Sequence, residues 1–297
     1  MQDEIGALVN YLRDSRGLSQ NTLASYQRDL GKAARYFEEQ GIREWTAVDR
    51  YAVLNLLATE RDQGRSTATI NRLISSLRQL FKFLIRQGRL QVNPMETIDH
   101  QPAHPSSTPP VLLTEEEVEQ LLAVPDTTTA LGIRDRAILE VLDATGMRVN
   151  ELVTLPMTAL HLDVRFVQLQ GNDQHERMVP LSRPAVAWLR RYLDEVRPYL
   201  VREPAPTVVF LNAHGRPLTR QGVWKNFKEW VRNAGISKNV TPQTFRYSLA
   251  VQLLSQGASG QVVQEMLGYT ELRMLRPYLK VTPQQLAATY DKYHPRA

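Results

Sequence analysis

The 297-residue chain contains no cysteine, which excludes a disulfide framework, a thiolate metal site and a cysteine nucleophile. It lacks any apolar run long enough to cross a bilayer. Its amino terminus, MQDEIGALVNYLRD, is acidic from the third residue and amphipathic, unlike the basic and then apolar profile of a secretory signal. A cytoplasmic location without a membrane partner is therefore expected. What remains is ordinary for a globular protein: 42% hydrophobic and 23% charged residues, with a net charge of +5. That charge suits a polyanionic partner without requiring one. The length exceeds one typical domain, so two are expected.

The segment DHQPAHPSSTPP, residues 99–110, holds four prolines and no large apolar residue. Such a stretch cannot pack and favours extended conformation. It predicts a linker over 99–112 between a domain at 1–98 and another at 113–297. The first domain reads as helix throughout: residues 3–14, a segment opened by Ser19, one stopped by Gly64, and one from the capping residue Ser66 to Gly88. The last carries a core stripe of Ile70, Leu73, Ile74, Leu77, Phe81 and Leu84. Arg78, Lys82 and Arg86 follow one another at four-residue steps and share a different face. A basic ridge of this kind is either a solvated surface or a contact for DNA.

After the linker, Thr114 and Glu117 predict a capping box, followed by helices over 132–146 and from about Val149. The period then changes to two: HLDVRFVQLQ and ERMVPL alternate around a polar turn, which predicts a hairpin, joined by the run TVVFLN at 207–212. Helical patterns return over 183–196, 219–235, 241–254 and 260–269. The fold expected is mainly α with a small antiparallel sheet.

Three residues carry candidate chemistry. Arg148 follows the helix-ending Gly146, with Glu151 one turn on to orient its guanidinium. Arg246 lies in TPQTFRYSLAVQLL beside an apolar face of Phe245, Leu249 and Leu253. Tyr278 stands in MLRPYLKV. Two guanidinium forks match the non-bridging oxygens of a phosphodiester, and a tyrosine hydroxyl can attack phosphorus to form a covalent phosphotyrosine. Singly, such an arginine is more often a surface ion pair and such a tyrosine more often part of the core.

Their order is more informative. ATGMRVNEL, a hairpin ending ERMVPL, FLNAHGRPLTRQGVW, TFRYSLAVQLL, VVQEMLGY and then a tyrosine nine residues later resemble the tyrosine recombinase (phage integrase) family, in its Xer-like branch. NTLASYQRDL and TINRLISSLRQLFKFL resemble that family's core-binding domain. The resemblance implies an all-helical, SAM-like core-binding bundle and an α+β catalytic domain that clamp double-stranded DNA. It implies a homo- or hetero-oligomer on DNA, a tetrameric synapse during strand exchange, no metal and no cofactor. Roles in DNA integration or chromosome partition follow from the same likeness. Arg148 and Arg246 match the phosphate-gripping arginines, and Tyr278 matches the nucleophile that leaves a 3′-phosphotyrosine.

Three other positions of the family's site are replaced. Asn172 stands for a lysine that protonates the leaving 5′ oxygen, and Gln243 and Tyr269 stand for histidines. His175, whose imidazole titrates near neutrality, is the candidate substitute acid; Arg177 matches an ordinarily basic position. Pro277 precedes the nucleophile and restricts the backbone there. Two readings stay open: a recombinase that cuts and rejoins DNA, or a catalytically impaired homologue that binds DNA or a partner recombinase without cleavage. The C-terminal piece VTPQQLAATYDKYHPRA resembles the family's final helix, in which Leu286, Ala287 and Tyr290 would pack on a neighbouring protomer or on the chain itself.

Overall fold

A computed structural model describes residues 1–18, 20–100, 111–171, 176–202 and 205–268. The chain divides into two compact units, Met1–Thr108 and Pro109–Ala297. In the first, helical periodicity resolves into α1 (Gln2–Arg16), α2 (Gln20–Glu39), α3 (Arg50–Asp62) and α4 (Thr67–Arg86). Ser66 caps α4 by accepting from the Thr69 N–H, satisfying one of the helix's orphan donors. All six residues of the expected α4 stripe are buried, against Leu30, Phe37 and Trp45 among others. Amphipathic pattern alone did not reveal a polar strap between helices: Asp29 of α2 is buried and accepts two 2.8 Å hydrogen bonds from Arg72 of α4 and one from Ser76.

The second unit begins with α5 (Glu115–Ala123), whose Thr114–Glu117 capping box is formed. It continues through α6 (Ala130–Thr145) and α7 (Val149–Thr154) into an antiparallel sheet ordered β1 (Leu160–His161), β2 (Phe166–Gln170), β3 (Glu176–Pro180). Then follow α8 (Arg183–Arg191), one π-helical turn (Tyr192–Val196), α9 (Arg197–Leu200), α10 (Arg220–Asn233), α11 (Pro242–Ser255) and α12 (Gly260–Leu267). The π turn lies just before Pro198, whose missing N–H breaks the ordinary helical ladder. Val167, Leu169 and Val179 face the core, which also takes in Ile138, Phe210, Phe227 and Phe245.

The run at 207–212 does not join the hairpin as expected. The third strand is Leu160–His161, and residues 207–212 make only isolated bridges, Pro156 to Val208 and Leu211 to Pro217. Backbone bonds to Leu155, Met157, Arg216 and Leu218 hold part of the run, and side chains complete it. Arg197 donates to the carbonyls of Pro206, Val208 and Val209, while the Tyr192 hydroxyl donates to Val209 O and accepts from the Leu211 N–H. Buried backbone groups need partners of some kind, and here a guanidinium and a phenol supply those that backbone bonds leave over.

One titration in this unit affects stability. Burial, and then the neighbouring Glu140 charge, push the Asp143 carboxyl up to about 6 from an ordinary 3.8. The folded state thus holds this proton more tightly than the unfolded chain, so Asp143 makes stability fall as pH rises from about 4 to 6. Asp143→Asn is expected to raise the urea midpoint at pH 7 and to remove that fall. An unchanged midpoint at both pH 5 and pH 7 would contradict it.

Candidate active site

The site starts at the end of α6. Gly146 takes a left-handed conformation, φ 56°, and its N–H donates to Leu142 O at 2.9 Å. A Cβ there would lie 2.5 Å from Leu267 Cδ2 and 3.1 Å from Leu249 Cδ2, so glycine is required both by the backbone angle and by the close approach of α12. The turn delivers Arg148 to the start of α7. Its N–H donates to Glu151 Oε2 at 2.7 Å, its Nη1 to Glu151 Oε1 at 3.1 Å, and its Nη2 to Gly268 O at 2.8 Å. The orienting role expected of Glu151 is thus seen. Arg148 keeps 35% of its side chain exposed.

Arg246 enters from α11, which Thr241 caps and Pro242 opens. It is only 2% exposed and donates to Gly146 O and Leu267 O. Those carbonyls sit at the ends of α6 and α12, where helices leave acceptors unsatisfied and the dipole is negative, so a permanent cation fits there. The expected apolar face is divided: Phe245 is buried in the main core, Leu249, Leu253 and Leu254 are half-buried around Val263 and Leu267, and Arg246 is itself buried. The reason is that the carbonyl ends of two helices converge on the arginine and satisfy it inside the fold.

A third arginine belongs to the cluster. In β3, Leu169 lies opposite Arg177 and Val167 opposite Val179, so two-residue alternation turns Arg177 to the core side. Its Nη1 and Nη2 donate to the two Glu151 oxygens at 2.8 and 3.0 Å, and its Nε donates to Met266 O at 3.0 Å. Burial alone would push the Glu151 carboxyl up. The hydrogen bonds from Arg177 and from the Arg148 backbone, with both positive charges, outweigh burial and hold it below the usual carboxylate range. The sequence reading noted Arg177 only as a basic position; the alternation that puts it on one face with Val179 was the signal for more.

Arg148, Arg177 and Arg246 thus meet at Glu151, at the carbonyl of Gly146 and at the carbonyls of residues 266–268. Of the three, Arg148 keeps an exposed guanidinium that can offer donors to a phosphate oxygen, while buried Arg177 and Arg246 add fixed positive charge behind it. Gln243 is exposed in the first turn of α11, three residues before Arg246. Asn172, His175, Tyr269, Pro277, Tyr278 and the C-terminal piece lie outside the described residues, as do Ser19 and residues 101–110 of the expected linker. In the first unit, Arg78, Lys82 and Arg86 all lie on α4. Arg78 is half-buried and donates to Ile98 O at 2.5 Å, Arg86 donates to the Tyr11 hydroxyl above whose ring it sits, and Lys82 is exposed.

The chain is mostly helical with a small inserted sheet, and it gathers three arginines, two of them on one carboxylate; known proteins identify its kind. The phage integrase family matches residues 112–285, and the phage integrase N-terminal SAM-like domain matches residues 5–88. The chain belongs to the phage integrase family, in the Xer-like branch of its tyrosine recombinases. It is 40% identical to tyrosine recombinase XerD of Lacticaseibacillus casei over 302 aligned residues and 39% identical to XerD of Staphylococcus haemolyticus (strain JCSC1435), covering all of each chain. The crystal structure of XerH site-specific recombinase bound to a palindromic difH substrate has the same fold, with a TM-score of 0.76 at 22% identity over 98% of this chain and 84% of that one. Among the described residues, no helix is long and apolar enough to cross a membrane.

Proposed function

We propose that this protein binds a specific site on double-stranded DNA, as a homo- or hetero-oligomer in the cytoplasm, and that Tyr278 cleaves there slowly because the site's proton donors have been replaced. The division of labour is a core-binding domain at 1–98, a linker at 99–112 and a catalytic-type domain at 113–297. The observation that carries the reading is the arginine cluster. Both arginines that match the family's phosphate grip are kept, Arg148 held by Glu151 and Arg246 by the carbonyls of Gly146 and Leu267, while Gln243, three residues before Arg246, cannot donate a proton near neutrality and Asn172 carries the same amide chemistry. Loss of a positioned general acid lowers such rates by about 10²–10⁴. Binding then outlasts cleavage, and the chain acts chiefly as the DNA-holding member of an assembly.

The test uses a duplex enriched from a random-sequence pool by the full-length protein, then rebuilt with a nick next to the cleaved position so that cleavage traps the covalent complex. Slow, Tyr278-dependent adduct on a denaturing gel is expected. No adduct on a duplex that is demonstrably bound would reject the cleavage step, and no enrichment of any duplex would reject site-specific binding.

The ridge on α4 supplies a separate prediction. Lys82 is exposed and has no hydrogen-bond or ion-pair partner among the described residues, unlike Arg78 and Arg86. Lys82→Ala is expected to lower the slope of log affinity against log salt by about 0.9, one phosphate contact. The triple change of Arg78, Lys82 and Arg86 to alanine should lower it further. A slope unmoved by the triple change would remove α4 from the DNA surface.

A further inference from the structure

Beside Arg148 and Arg246 the cluster holds a third guanidinium, Arg177, which has 8% of its side chain exposed. An arginine on the core face of a five-residue strand is costly unless its donors are matched, and here Nε, Nη1 and Nη2 all have acceptors. A methionine of similar length would fill the space more cheaply, since well-packed apolar replacements of buried ion pairs are often neutral or stabilising. What it could not do is supply the two hydrogen bonds and the positive charge by which Arg177 helps to lower the Glu151 carboxyl.

We propose that Arg177 is a positioning residue for strand cleavage: it holds the Glu151 carboxylate so that Arg148 presents its guanidinium to the DNA phosphate, and it ties the β2–β3 hairpin to the end of α12. The inference rests on the DNA-binding reading above and deepens it.

Three elements meet on this one side chain. Arg177 belongs to β3, one strand of the hairpin that brackets the Asn172 position. Glu151 belongs to α7 and accepts from both Arg148 and Arg177. Met266 and Gly268 lie at the end of α12, immediately before Tyr269, and both bond to this cluster: Met266 O accepts from Arg177 and Gly268 O from Arg148. Gly268, at φ 60°, leaves so little room that a Cβ would stand 3.1 Å from the Arg177 guanidinium carbon. Strand β3, the Arg148 guanidinium and the end of α12 therefore share one frame. The charged groups facing Glu151 are Arg148 and Arg177; α12 contributes backbone carbonyls, and Glu176, which lines the same cleft, is engaged by Gln168 at 2.6 Å.

The experiment compares the full-length protein with Arg177→Met, alone and combined with Arg148→Ala. In the free protein, solvent exchange of the Arg148 Nη protons, which the structure bonds to Glu151 and Gly268, is followed by NMR between about pH 5 and 8, a range above the ordinary titration of a glutamate. Wild type is expected to protect those protons across the range. In Arg177→Met, burial pushes the Glu151 carboxyl up, so protection is expected to weaken as pH falls. With the enriched duplex, Arg177→Met is expected to weaken binding about tenfold, the scale of one charge-assisted hydrogen bond. In the Arg148→Ala background the same change should cost less than about twofold, because the partner it acts through is gone.

Unchanged Arg148 exchange, or equal losses of affinity in both backgrounds, would overturn the proposal; a prop for the fold alone predicts that equality. Should Arg177→Met fail to fold, Arg177→Lys keeps the charge without the fork and is expected to shift both readouts in the same direction by less. If no duplex is bound by wild type, the DNA-binding reading fails by itself, while Arg148 exchange in the free protein still decides whether Arg177 orders the site.

Discussion

Asn172→Lys is expected to speed formation of the covalent Tyr278–DNA adduct by about 10²–10⁴-fold while leaving affinity for the enriched duplex within a few-fold. Attack on phosphorus expels a 5′ oxygen, and without a nearby acid that oxygen must leave as an alkoxide. An asparagine amide offers hydrogen bonds but no transferable proton near pH 7. The flanking strands are paired right up to the turn, with Gln170 opposite Glu176, so a lysine at 172 would be carried by a hairpin whose base is already set. The gain should vanish when Tyr278→Phe is added, and nicked-substrate trapping measures both. A restored lysine that leaves the rate unchanged would mean that the barrier lies elsewhere, with Gln243 and Tyr269 the next positions to restore.

The second large effect is expected at Arg246. In the Asn172→Lys background, Arg246→Lys should lower adduct formation by about 10²–10³, the scale of removing one preorganised donor from a developing negative charge. Lysine keeps the charge but presents a point where arginine presents a planar fork. It would also leave the carbonyls of Gly146 and Leu267, both bonded by Arg246, short of donors at the ends of two helices. Thermal stability should therefore fall along with cleavage. A variant that melts earlier yet cleaves at the parent rate would show that Arg246 serves only the fold.

Much of this was legible in the sequence because local signals agreed with one another. Ser66, Thr114 and Gly146 announced helix ends that the structure contains, and the α4 stripe is buried at every position named. The retained arginines were found through the order of motifs, and Glu151 was read as the orienter of Arg148. Long-range satisfaction was not legible. Nothing local to residues 207–212 shows that Arg197 and Tyr192 will take up several of their backbone groups, so a short apolar run was read as a strand of the sheet. Nothing local to Asp29 announces Arg72, forty-three positions away in sequence. Arg246 looked like a charge flanking a hydrophobic face because its acceptors, Gly146 and Leu267, come from two other helices. Arg177 was the exception: its strand parity with Val179 was visible, and an arginine on a core face asks for buried partners.

The central claim is that the phosphate grip is intact and only proton delivery to the leaving oxygen is missing. A duplex with sulfur in place of the bridging 5′ oxygen at the cleaved position tests it most directly. A thiol ionises near 8.5, so a thiolate leaves without needing an acid. Wild-type protein is expected to form the Tyr278 adduct with the sulfur duplex about 10²–10⁴ times faster than with the oxygen duplex, and Asn172→Lys should narrow that gap. Equal rates on the two duplexes, whether both slow or both fast, would contradict the claim.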